Sequence, residues 1–378
     1  MQRHSGQVHF LQKKILMKAI KETIFIIVTV VILAGCAIAP AQTAASIAKP
    51  TEKKTGLTSP ETKKQDTTVP ETAAADEEKK ETGEAIVYFT VILHLEGWED
   101  GDNRKKFEVH STKLREYANL FEKYGAVMTL EAKEIIDGCI NWEDNVLLEM
   151  QDRGHPVGIH ADVGGESNST VINIRNKVAK IKGKLSGLGI DANWTSGVAS
   201  RADWVKACSD AGMDAVTCMV AYGLWALDPP LRPEWFEPYE TPAEGHAHYP
   251  EDATDRLHGW YTSSGSTWIQ SDPSGSLLII PSGLNLTDAY EEQQGGTTFK
   301  AEFTREDINT WEKMLPEIIL AAKPGAVNTF CAVWSFGQTL DTGLLEEWLN
   351  LIDGYVKKGS ISWAGVPSMI DIYSAARQ

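Results

Sequence analysis

Two His-x-carboxylate pairs, His94-Leu-Glu96 and His160-Ala-Asp162, and a carboxylate between them, Glu131, are the residues whose types could do chemistry together. Imidazole and carboxylate side chains ligate first-row divalent ions, and zinc suits such a set when one position stays open. A carboxylate beside the ion can take the proton of an attacking water. In an extended chain residues i and i+2 point to the same side, so each pair shares a face. One such pair alone reads as solvated loop residues just past a strand. Their recurrence at equivalent strand ends marks a site, with His160, Glu96 and His94 as metal ligands and Glu131 and Asp162 as candidate bases.

These side chains meet only if the elements carrying them end together. Ile86–Leu93, Ala126–Leu130, Pro156–Ala161, Ile190–Thr195, Met213–Val220, Leu277–Pro281, Val327–Trp334 and Ile361–Trp363 read as apolar strands. Between them run amphipathic helices. One is capped by Ser111 and stopped by Gly125, one spans Asn145–Arg153, and one carries Val171, Ile174, Val178, Ile181, Leu185 and Leu188 on one face. Further helices start at Ser200-Arg-Ala-Asp203 and at Thr304-Arg-Glu-Asp307, and another covers Asp341–Val356. Strands alternating with helices predict a parallel sheet covered by helices. Seven or eight units in about 290 residues predict a distorted (β/α) barrel, with an open doubly wound sheet as the alternative. No glycine-rich phosphate loop follows the first strand, which argues against a nucleotide. Chemistry in a barrel gathers at the C-terminal strand ends, where both pairs and Glu131 fall.

Tyr117–Glu131 (YANLFEKYGAVMTLE) and Leu147–Asp162 (LLEMQDRGHPVGIHAD) carry a family resemblance. With Gly154, His155, Gly158 and His160 in register, this stretch resembles the polysaccharide deacetylase family, clearly over about residues 86–220. The resemblance implies a distorted (β/α) barrel, a divalent metal and a carbohydrate substrate. It puts His160 at the first metal-binding His and Glu96 at the metal-binding Asp of the family. It also shows departures. The family's general base falls at Leu95, its second His at Gly164, and no His follows His258 to act as a late acid. Either the site is rebuilt, with His94 and Asp162 as replacement ligands and Glu131 as base, or the barrel has kept only carbohydrate binding.

Residues 221–275 form a long irregular stretch, which in a compact domain points to function or to missed elements. It holds Tyr222, Trp225, Trp235, Phe236, Tyr239, Trp260, Tyr261 and Trp268, which suit either a sugar-stacking lid or a small second core. Gly245-His246-Ala-His248 offers a His-x-His pair that reads first as surface and second as ligands. Ser263-Ser-Gly-Ser266 lacks the spacing of a nucleophile elbow, against a serine hydrolase. Cys139, Cys208, Cys218 and Cys331 form no CxxC pair and read as free thiols.

The formal net charge is −16, which argues against nucleic acid. Residues 1–84 carry 12 of the 36 bases and 10 of the 52 acids, so residues 85–378 hold an excess of 18 acids and all twelve Trp. Met17-Lys-Ala-Ile-Lys, the apolar run Ile24–Ala34 and Leu33-Ala-Gly-Cys36 make a secretory signal, too short for a membrane span of about 20 residues. Leu-Ala-Gly-Cys resembles the bacterial lipobox. The resemblance implies a start at Met17, lipidation of Cys36, and an exported protein lipid-anchored to the cell envelope, outside the cytoplasm. Residues 1–36 are then leader. Residues 37–84, rich in Ala, Thr, Pro, Lys and Glu, predict a disordered tether reaching roughly 40 Å. Residues 85–378 are the barrel.

The expectation is an envelope-anchored, metal-dependent, deacetylase-type hydrolase acting on a carbohydrate. The alternatives are a glycoside hydrolase using two of the strand-end carboxylates, and a lipid-anchored glycan-binding protein.

Overall fold

The computed structural model describes residues 85–96, 99–163, 169–233, 245–293, 302–337 and 340–377. Cys36, the tether, Gly164, Trp235, Phe236 and Tyr239 lie outside these. Seven parallel strands form the wall: β1 (Val87–Leu95), β2 (Met128–Ala132), β3 (Val157–His160), β4 (Trp194–Ser196), β5 (Ala215–Thr217), β7 (Leu277–Ile280) and β8 (Asn328–Ser335). They pair in the order β7-β5-β4-β3-β2-β1-β8. The circle closes through the segment after β7, not through β7 itself. Gly283 N donates to Cys331 O (2.7 Å), Leu286 N to Val333 O (2.7 Å), and Val333 N to Leu284 O (2.9 Å). Two short strands sit outside the circle. β6 (Trp260–Thr262) runs antiparallel along β7, and β9 (Ile361–Trp363) lies parallel beside the first residues of β1.

The helices form because their apolar residues fall on one stripe. In α1 (Arg104–Glu122) Phe107, Ser111, Leu114, Tyr117, Ala118 and Phe121 are buried at spacings of three and four. The sequence placed this start at Ser111, but the cap is Asn103, whose side chain accepts from Lys106 N. Arg104–Lys106 is polar and Phe107 is the only apolar residue of the buried face before Leu114, which hid the true start. α2 (Ile135–Asn141) was not foreseen, and α3 (Val146–Asp152) and α4 (Val171–Gly187) lie where the pattern puts them. α5 (Trp204–Asp210) is capped by Asp203 itself, not by Ser200. α6 (Ala289–Gln293) precedes α7 (Arg305–Ala321). The expected capping box of α7 forms, with Thr304 N and Oγ1 both donating to Asp307 Oδ2 at 2.9 and 2.7 Å. α8 (Thr342–Val356) and α9 (Val366–Ala376) complete the chain. Among the described residues no helix is long and apolar enough to cross a membrane.

Alternation along each strand sends every second residue into the barrel. Thr90, Ile92 and His94 share one face of β1, and Thr129 and Glu131 share one face of β2. Thr90 Oγ1 and Thr129 Oγ1 are hydrogen bonded at 2.9 Å. The inner face is closed at its N-terminal end by apolar side chains. Ile92, Trp194, Ala215, Leu278, Ile280, Cys331 and Val333 pack with Val366, Met369, Ile370 and Tyr373 of α9 in one buried cluster. Gly158 is required here, because a Cβ would come within 2.2 Å of the Trp194 ring.

Within 221–275, Trp268 joins the main core and Trp260 packs against it, while Tyr222 lines the strand-end cavity. Trp268 is fully buried, edge-on to Trp204 (5.6 Å) and Tyr249 (5.2 Å), stacked on Trp260 (6.1 Å), and donates Nε1 to Gly223 O. Of the two readings of this stretch, Trp260 and Trp268 follow the packing one.

Candidate functional site

The C-terminal strand ends surround a cavity of about 460 Å³. Its lining includes His94, Glu96, His160, Asp162, Thr217, Cys218, His246 and His248. Parallel register brings the first members together, for His94 sits opposite Glu131 across β1–β2 and His160 opposite Ser196 across β3–β4. The rings of His94 and His160 stack with centroids 4.3 Å apart.

At the inner end, His94 Nε2 lies 3.1 Å from Glu131 Oε2. The pair lacks hydrogen-bond geometry, and both atoms are shielded from solvent with no hydrogen-bond partner. Such orphaned buried atoms call for an explanation, since each costs its desolvation outright. Glu131 is fully buried, and its other oxygen accepts from Thr217 Oγ1. Cys218 Sγ is near enough that one donor atom each of His94, Glu131 and Cys218 lie within 4.8 Å of one another. Burial, then the Glu131 carboxylate, push the Cys218 thiol well above its ordinary range. An imidazole nitrogen and a carboxylate oxygen, both unpartnered and facing each other, are a donor set that fits a divalent cation.

At the outer end, His160 Nε2 is 3.7 Å from Glu96 Oε1, and its Nδ1 meets Ser196 Oγ at 2.8 Å. Burial, with the neighbouring His94 ring, holds the His160 imidazole well below its ordinary pKa, so it is neutral at pH 7. Burial also raises the Glu96 carboxyl, against the pull of His94. Asp162 departs from the extended pairing read from sequence. Its φ is +46°, so its carboxylate turns to the rim, where Lys133 Nζ holds it at 2.7 Å. The turn is matched by Gly197 (φ +66°), where a Cβ would come within 2.7 Å of Asp162 N and 3.0 Å of His160 Cε1.

His248, also on the cavity lining, belongs to a second charged group. His248 Nδ1 lies 3.2 Å from Glu292 Oε1, which also accepts from Arg256 Nη1 at 2.6 Å. Glu292 Oε2 accepts from Asn285 N at 3.0 Å. Burial alone would raise the Glu292 carboxyl, but His248 and Arg256 bring it down to about 2.

Of the five strand-end residues singled out from sequence, His94, Glu96, His160 and Asp162 line one cavity, and Glu131 is buried beside His94. Sequence reasoning gave no role in the site to Lys133, Ser196, Thr217, Arg256 or Glu292, and read Cys218 only as a free thiol. Ser196 and Thr217 carry a signal, as each is a polar residue ending an apolar strand. Cys139, Cys208, Cys218 and Cys331 are free and buried. His155 is not at the mouth. It is buried under α1, accepts from Met128 N at 3.2 Å and faces Glu122, so it holds the fold.

No family model matches the sequence, and no curated protein is similar to it in sequence. Solved structures do share the fold. A probable polysaccharide deacetylase from Pseudomonas aeruginosa PAO1 superposes with a TM-score of 0.50 at 11% identity, over 78% of this chain and 92% of that one. A putative polysaccharide deacetylase from Mycobacterium smegmatis gives 0.48 at 10% identity, over 77% and 91%. Puue allantoinase gives 0.48 at 11% identity, over 78% and 92%. At 11% identity the likeness to the Pseudomonas protein is one of fold, a distorted (β/α) barrel.

Proposed function

We propose that this chain is a metal-assisted hydrolase of the deacetylase type that removes an acyl group from a carbohydrate. The observation that supports this best is the unpartnered His94–Glu131 pair within a strand-end cavity that His160 and Glu96 also line. The ion would be held around His94, with Glu131 on its inner side and Glu96 and His160 toward the mouth. When bound it supplies Lewis acidity, polarising the acyl carbonyl and making water more acidic. Water adds to that carbonyl, the bond from carbon to the sugar nitrogen or oxygen breaks, and carboxylate and free amine or alcohol leave.

The chain's own residues orient and move protons. Ser196 fixes the ring of His160 by its Nδ1, leaving Nε2 toward Glu96. Of the rim carboxylates, Asp162 is tied to Lys133 Nζ at 2.7 Å. Glu96, 3.7 Å from His160 Nε2 on the cavity lining, is the carboxylate placed to accept a proton from water. The acidic balance and the leader motif support export and anchoring through Cys36, which keeps the barrel at the envelope surface where glycans are met.

Acetate release from acetylated oligosaccharides tests the reading. The expected result is turnover that chelation removes and divalent ion restores, falling at least about 100-fold in His160→Ala. Binding of the same oligosaccharides with no acetate release at any ion concentration would replace it with the glycan-binding reading.

A further inference from the structure

The alternation of β5 is broken at the point where it reaches the cavity. Thr217 points inward, since its hydroxyl bonds Glu131. A chain that stayed extended would therefore send residue 218 outward. Cys218 instead has φ +55°, a left-handed conformation that costs a non-glycine residue on the order of 1 kcal/mol. That turn brings its sulfur back to the interior, within 4.8 Å of a donor atom of His94 and of one of Glu131. Three strands thus contribute one donor each, nitrogen, oxygen and sulfur. Thr217 fixes the carboxylate so that Oε2, not Oε1, faces the others, the kind of support that orients a ligand.

We propose that His94, Glu131 and Cys218 form a three-ligand site for a thiophilic divalent cation, zinc foremost, with its fourth position open to the cavity. Hard, oxygen-seeking ions such as magnesium and calcium do not suit a donor set that includes sulfur. The ion then sits on the inner side of His94, and Glu96 and His160 are left free at the mouth. The inference rests on the metal-assisted reading above, but it is decided by its own experiment.

The full chain is stripped with chelator and titrated with Co²⁺, and thiolate-to-cobalt charge-transfer absorption is recorded, with zinc stoichiometry measured in parallel. One ion per chain is expected, with a thiolate band in the wild type and in Glu96→Gln. The band is absent from Cys218→Ser, whose affinity falls by more than the roughly 100-fold that loss of a supporting residue can cost. His94→Ala should lose binding. The wild-type spectrum needs no variant, so misfolding of a substituted chain cannot obscure it. Stoichiometric binding without the band, and lost in Glu96→Gln, would place the ion at the mouth and overturn this site while sparing the hydrolase reading. No binding of either ion would overturn both.

Discussion

Two His–Glu pairs each put a histidine on the lining of one cavity, and they differ in what answers the carboxylate. Around Glu292 every oxygen is engaged, by Arg256, His248 and the amide of Asn285. Around Glu131 only one oxygen is, by a neutral hydroxyl, and among the described residues no guanidinium or ammonium group is recorded against it. Arg256 is itself buried and spends its other donors on the carbonyls of Pro250 and Glu251, each at 2.5 Å, and of Gly283. The far pair is thus a finished structural joint, tying the irregular segment to α6 and to the seam of the barrel. The near pair is unfinished in the chain alone. Burial and a His–Glu pairing do not distinguish a joint from a binding site; completeness of the charge does.

The sharpest test of this contrast compares Arg256→Ala with Glu131→Gln by urea unfolding in the presence of chelator. Removing Arg256 strands a buried carboxylate and should cost about 3–5 kcal/mol. Glu131→Gln keeps the bond from Thr217 and removes a lone buried charge, so its cost should stay under about 1 kcal/mol. Equal losses would erase the distinction.

A second test uses acid. The Glu292 carboxyl is lowered in the folded chain from 4.5 to about 2, so its stabilisation is complete above the upper value and is lost as pH falls through that window. The whole contribution is on the order of 3 kcal/mol. Comparing unfolding at pH 6 and pH 2.5, Glu292→Gln should lose less stability on acidification than the wild type. An unchanged acid slope would show that the carboxylate is not held by its partners.

The smallest effect is expected at the rim. Lys133–Asp162 is half exposed on the carboxylate side, so Lys133→Ala should cost no more than about 1 kcal/mol, less in high salt. A larger, salt-insensitive loss in thermal unfolding would make the rim another structural joint.

The strand-end chemistry was legible because alternation is local. His94 and Glu131 are inward for the same reason that Ile92 and Thr129 are, and any reading of the strands carries them along. Two kinds of information were not local. Backbone turns at Asp162 and Cys218 reverse the alternation at single residues that are not glycine, so nothing in the sequence announces them. The Arg256–Glu292 pair joins residues 36 apart across segments without regular periodicity, and only the closed barrel brings them together. The helix starts failed for a milder reason. Ser111 and Ser200 are competent caps, but Asn103 and Asp203 are also competent and lie where tertiary packing begins the helix.

The apolar plug made by α9 beneath Ile92, Ile280 and Cys331 closes the end of the barrel away from the strand-end door. A long chain entering there would meet the plug and could not be threaded out past α9. A polymer worked on here would lie across the rim and dip one substituent at a time into the well, which favours removal of side groups over cutting of the backbone.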